Sequence, residues 1–148
     1  MKPILHASAG TAAMLVIFSF WISTLVSELF LDYAAVTTVK HAIVYGLFIL
    51  VPIMAATGGS GFVLGKTHRG QMLERKKKRM AIIGANGLLV MIPAAIFLYS
   101  KAAAAEFDAI FYVVQVVELI VGVVQLTLMS INFRDGLKLA GKLGSRAG

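Results

Sequence analysis

The 148-residue chain has no cysteine, only three prolines, and 14% charged side chains where a globular protein carries roughly a quarter. The missing cysteine excludes disulfides, thiolate metal sites and cysteine nucleophiles. The scarcity of charge excludes an ordinary water-facing surface, and what replaces it is apolar: 59% of residues are hydrophobic and the mean hydropathy is +0.86. Charge is also absent from long stretches. Glu28 is the only charged residue between Ala7 and Leu31, none falls in Ala42–Gly65 or Met80–Ser100, and Glu118 stands alone in Ala109–Phe133. Each run exceeds the roughly 20 residues that a helix rising about 1.5 Å per residue needs to cross about 30 Å of hydrocarbon.

Four helices apolar on every side would leave a water-soluble domain without amphipathic helices to cover them. The runs are too long for barrel strands and do not alternate in period two. The first run is preceded only by Lys2 and ends in Ser27-Glu28-Leu29-Phe30, without a small-residue cleavage site, so a retained first span is expected. The expected fold is all-α: an integral membrane four-helix bundle over residues 1–136, with spans at about 7–31, 42–65, 80–100 and 109–133, followed by a flexible tail, 137–148.

The basic residues set the expected orientation. Lys66, Arg69 and Arg75 to Arg79 lie between spans two and three; Arg134, Lys138, Lys142 and Arg146 follow span four; Lys2 precedes span one. The other two connections hold Lys40 and Lys101 against Glu28, Asp32, Glu106 and Asp108. Twelve of fourteen basic residues thus fall on one side, which places both termini in the cytoplasm. The +7 formal charge is therefore a topology and lipid-surface feature. The run Arg75 to Arg79 lacks the interleaved aromatics of a nucleic-acid site, so no nucleic-acid partner is expected. Besides the lipid bilayer, a thin four-helix bundle calls for a second copy or another membrane protein as partner. The tyrosines fall mostly near the outer ends, where aromatic amphipaths anchor, whereas Trp21 sits deeper.

Residues three, four and seven apart share a helix face. In span four this rule collects Gln115, Glu118, Gly122, Gln125 and Met129, a stripe whose polar atoms require protein or water rather than lipid. Glu118 is expected close to the midplane without a charged neighbour, either neutral and bonded to a freed carbonyl or serving as a proton or cation carrier. Asn86, Gln125, Thr57, Ser60 and Thr11 share a level and form a candidate polar layer, with interhelical adhesion as its simplest use.

Span two carries Pro52 and then Thr57-Gly58-Gly59-Ser60-Gly61-Phe62. Such a helix either bends and packs closely, as the spacings Ala55/Gly59 and Gly61/Gly65 allow, or unwinds at a ligand. Pro52 and Pro93 are each expected to bend their spans. A membrane-embedded haem b needs two imidazoles, small residues and basic groups for its propionates. His6 and His68, both at the basic edge with Gly10, Gly65, Lys66 and Arg69 nearby, are the candidate ligands. His41 opens span two at the opposite side, at the depth of Glu28, where an interfacial ion pair or hydrogen bond is expected. No three ligands have metal spacing, and no serine has a histidine and acid at its depth.

The runs Phe20-Trp21-Ile22-Ser23-Thr24 with Ser27-Glu28-Leu29-Phe30, Thr57 to Phe62, Lys78-Arg79-Met80, Asn86-Gly87-Leu88-Leu89-Val90, Gln115-Val116-Val117-Glu118-Leu119 and Asn132-Phe133-Arg134-Asp135-Gly136 carry a resemblance. Over nearly its whole length the chain resembles a family of small proteobacterial inner-membrane proteins. The resemblance implies four helices in a bacterial inner membrane, transfers no activity, and puts its emphasis on Glu118, Asn86 and Gly58 to Gly61. The leading expectation is a non-enzymatic polytopic protein with an intramembrane polar site, a small transporter or oligomeric pore. The alternatives are a haem-binding electron-transfer or redox-sensing subunit and an assembly partner of another membrane protein.

Overall fold

The computed structural model describes residues 2–66 and 69–147, and among them the chain is helical throughout, without strands. The helices are α1 (Lys2–Phe30), α2 (Tyr33–Lys66), α3 (Gln71–Asn86), α4 (Ile92–Ala103) and α5 (Ala109–Ala147), with a π-helical turn, Gly87–Met91, joining α3 to α4. The four-span fold expected from the charge-free runs is present: Pro3–Phe30, Tyr33–Lys66, Gln71–Ala103 and Ala109–Leu139 are each long and apolar enough to cross a membrane. Each extends beyond its charge-free run, because helical hydrogen bonding does not stop where charge begins. The last helix continues past residue 133 through the basic C-terminal stretch to Ala147.

The spans run up and down, so both termini and the connection between α2 and α3 lie at one end, termed here the basic end. At the other end the turns are short and capped by carboxylates. Asp32 Oδ1 accepts from the Ala35 N–H at 2.9 Å to start α2, and Asp108 Oδ1 accepts from the Phe111 N–H at 3.0 Å to start α5. Asp108 also pairs with Lys101 at 2.6 Å, tying the α4 and α5 ends together.

Consecutive spans are neighbours and span four closes back on span one, whereas spans one and three, and two and four, face each other across the bundle axis. One apolar cluster, Ala13, Ile17, Leu50, Ile83 and Met129, binds the spans toward the basic end. A second, Val36, Leu98, Ala102 and Phe111, closes the opposite end. Large apolar side chains such as Phe48, Leu89 and Ile120 are exposed on the outside, as a lipid-facing surface requires.

Pro93 has no N–H to offer the Leu89 carbonyl, so the regular ladder must change register here. It does so in the π turn, where the Ile92 N–H bonds the Gly87 carbonyl five residues back. Pro52 lies inside α2, which stays helical through Gly58, Gly59, Ser60 and Gly61; this stretch is wound rather than unwound. Gly61 packs against Met80 and His6, and Gly65 against Lys77, while side chains built at Gly58 or Gly59 would meet open space.

Candidate functional site

The interior of the bundle carries polar groups at three levels. Nearest the basic end, Arg79 of α3 pairs with Asp135 of α5 and donates from Nε to Asn132 Oδ1 at 2.7 Å. At mid-depth, Asn86 Nδ2 donates to Gln125 Oε1 at 2.9 Å, and Gln125 Nε2 donates to the Ile83 carbonyl at 3.1 Å. Asn86 and Gln125 are thus brought together, with every polar atom of the fully buried glutamine amide engaged. This level reads as interhelical adhesion.

The third level is different. Lys40, two turns into α2 and 1% exposed, reaches across the axis and donates from Nζ to Gln115 Oε1 of α5. Its ammonium stands 3.8 Å from Glu28 Oε1 of α1 and acts electrostatically on Glu118, one turn along α5 from Gln115. Glu28 and Glu118 also sense one another. The expectation that Glu118 lacks a charged neighbour is therefore overturned. Lys40 borders a charge-free run and so reads as part of a connection, yet α2 begins at Tyr33 and carries Lys40 into the interior. Glu118 sits about 14 Å along α5, at about 1.5 Å per residue, which is close to the middle of about 30 Å of hydrocarbon.

His41, expected to meet Glu28, lies instead against the rings of Tyr45 and Tyr99, at 4.7 and 5.2 Å between centroids. Adjacent helical residues point about 100° apart, so Lys40 and His41 cannot both face inward.

Four deeply buried polar atoms lack a hydrogen-bond partner among the described residues: Thr24 Oγ1, Glu28 Oε1, Gln115 Nε2 and Glu118 Oε2. All belong to this level, since Thr24 lies one turn from Glu28 on α1. Burying polar atoms without hydrogen bonds in an apolar medium is costly, and their concentration at this level sets it apart from the other two. Trp21 braces it: its indole N–H donates to the Leu119 carbonyl at 2.9 Å, and its ring lies over Gly122. A side-chain carbon at Gly122 would fall 2.7 Å from that ring, which explains glycine there.

Two cavities lie on the axis below this cluster. One of about 260 Å³ is bordered by Glu118, Trp21, Gln125 and the π turn. One of about 620 Å³ opens toward the basic end and is lined by His6, Gly58, Lys76 and Asn132 among mainly apolar residues. Met54 and Gly84 belong to the walls of both, so the two spaces adjoin. On the far side of the cluster, Phe111 and Leu98, both at 0% exposure, form a seal.

Of the two candidate haem ligands, His68 lies outside the described residues. His6 donates from Nδ1 to the Thr57 carbonyl at 3.0 Å with Ser60 Oγ 3.2 Å away, which leaves Nε2 as the free ring nitrogen. Thr57 and Ser60 otherwise bond back to the Ile53 and Ala56 carbonyls of their own helix. Among the described residues no three histidine, aspartate or glutamate side chains gather as a metal site. The chain matches no family model, no curated protein and no solved structure.

Proposed function

We propose that this chain is a small inner-membrane transporter, with both termini cytoplasmic, that binds and releases a proton among Lys40, Glu28 and Glu118. The observation that carries the reading is the composition of the buried cluster: one ammonium and two carboxyl groups beside a buried amide, with four polar atoms that make no hydrogen bond. One positive and two negative charges cannot all persist in a low-dielectric interior, and the neutral combination has one carboxyl protonated. That proton has two sites to choose between and a lysine whose attraction decides. Such an arrangement is suited to proton exchange, and adhesion alone does not require it.

The cavities lie between the basic end and Glu118, and the packed Phe111 stands beyond it, which supports access to Glu118 from the basic end. The basic end is the cytoplasmic side by the excess of arginine and lysine there, and the resemblance to small proteobacterial inner-membrane proteins agrees with this location.

Proteoliposomes with an imposed pH gradient test the reading. Wild-type protein is expected to conduct protons measurably, and Glu118→Gln to lower the flux at least tenfold. Infrared difference spectra taken across a pH step should show a carboxylic-acid carbonyl band that disappears in Glu118→Gln or Glu28→Gln. Unchanged flux together with an unchanged spectrum in both variants would sink the proposal.

A further inference from the structure

We infer that the larger cavity is a binding site for a single-chain amphiphile with an anionic head, the head held by Lys76 and Arg69 and the chain lodged among methionines. The volume of about 620 Å³ lies within the range of small-molecule sites. Its walls contain Met14, Met54, Met72, Met80 and Met129, five of the seven methionines in the chain. The thioether is unbranched, flexible and polarizable, so a wall of this kind adapts to an extended apolar ligand instead of fitting one rigid shape. Met14, Met54 and Met129 also pack in the apolar cluster at this end of the bundle, whereas the cluster at the opposite end uses valine, leucine, alanine and phenylalanine.

The charge at the mouth selects the head. Arg79 is matched by Asp135, but Lys76 and Arg69 form no ion pair among the described residues, although Lys76 also senses Asp135. Two bases beyond Arg79 therefore face one already paired acid, and the lining has an excess of positive charge. The Lys76 ammonium extends over Gly136, 2.9 Å from where a side-chain carbon would stand, so the glycine keeps open the ground that this ammonium occupies. Asn132, whose Oδ1 serves Arg79, retains its amide N–H groups for a second acceptor. A cation would be repelled here, and an anionic head would meet two bases that have no ion pair among the described residues.

An occupant of this cavity would stand in the route to Glu118 proposed above, but its binding does not require proton exchange at Lys40, so the two proposals are read by different measurements and fail separately. The test uses the full chain in nanodiscs of zwitterionic lipid, titrated with saturated carboxylic acids of increasing length and with the matching alcohols. Affinity is expected to rise about fourfold per methylene, until the cavity is filled. The acid should bind at least tenfold more tightly than the alcohol. Lys76→Gln combined with Arg69→Gln should erase that difference, Lys76→Arg should keep it, and Glu118→Gln should leave binding unchanged. Equal affinity for acid and alcohol, no dependence on chain length, or unaltered preference in the double variant would overturn the inference. So would full displacement by a two-chain anionic phospholipid, or a Soret band showing that haem fills the space.

Discussion

At the scale of single residues, Lys40 decides how the interior must be read. Removing both carboxyl partners, by Glu28→Gln with Glu118→Gln, leaves an ammonium buried without a counter-charge, and such uncompensated charges cost about 3 to 5 kcal/mol. Thermal unfolding in detergent should register that loss. Adding Lys40→Met should restore most of it, because an all-neutral cluster no longer asks for charge balance. If the triple variant were no more stable than the double, the cluster would not be held together by charge. The sequence made half of this site legible. Gln115 and Glu118 stood out because polar residues at helical spacing in a run otherwise free of charge have few explanations. Lys40 did not stand out, because a charge at the border of an apolar run looks the same whether its helix begins before or after it. Its inward direction depends on which face α2 turns to the axis, a property of the whole bundle.

Helices and their ends carry a second group of consequences. Asp108 caps α5 and pairs with Lys101, and the hydrogen bond from Lys101 is the main cause that holds its carboxyl below the ordinary value of 3.8. A carboxyl depressed on folding contributes stability that is fully present above its unfolded value and is lost as pH falls through its folded one. Asp108→Asn should therefore lower the unfolding temperature at neutral pH, and the gap between variant and wild type should close below about pH 4. A gap independent of pH would assign the effect to the cap geometry alone. The π turn at Gly87–Met91 shows how much of an element sequence can give. Pro93 announced a disturbance in span three, but whether the helix would bend or widen depends on what lies opposite, here the smaller cavity and Gln125. The Gly58-to-Gly61 run was ambiguous for a related reason. Its glycines permit both close packing and unwinding, and the contact of Gly61 with Met80 and His6 exists only once α1 and α3 are in place.

For the molecule as a whole, the four spans and their alternating direction were legible because charge-free length is a physical requirement of crossing hydrocarbon. The axial cavities were not, since a cavity is the space that side chains from four helices fail to fill, and no local pattern encodes it. The closed end follows from the same packing. Phe111 is fully buried beside Leu98, Val36 and Ala102, one turn beyond Gln115. Phe111→Ala removes the largest part of that seal and is expected to raise proton leak through reconstituted vesicles severalfold while costing about 3 to 5 kcal/mol of stability. A leak equal to wild type in folded Phe111→Ala protein would place the barrier elsewhere.

Because that seal stands beyond the cluster, a proton that reaches Glu118 from the basic end has moved through part of the membrane's electrical field. Glu118 lies about 14 Å along α5, at about 1.5 Å per residue, so that proton traverses about half of the hydrocarbon thickness. A full crossing is worth about 2.3 kcal/mol per elementary charge per 100 mV, which makes occupancy of the cluster a function of membrane potential as well as of pH. A bundle with its carboxyls at this depth would respond to de-energisation of the cell even at constant acidity. Clamping the potential across vesicles at fixed pH should accordingly shift the midpoint of the carboxyl titration.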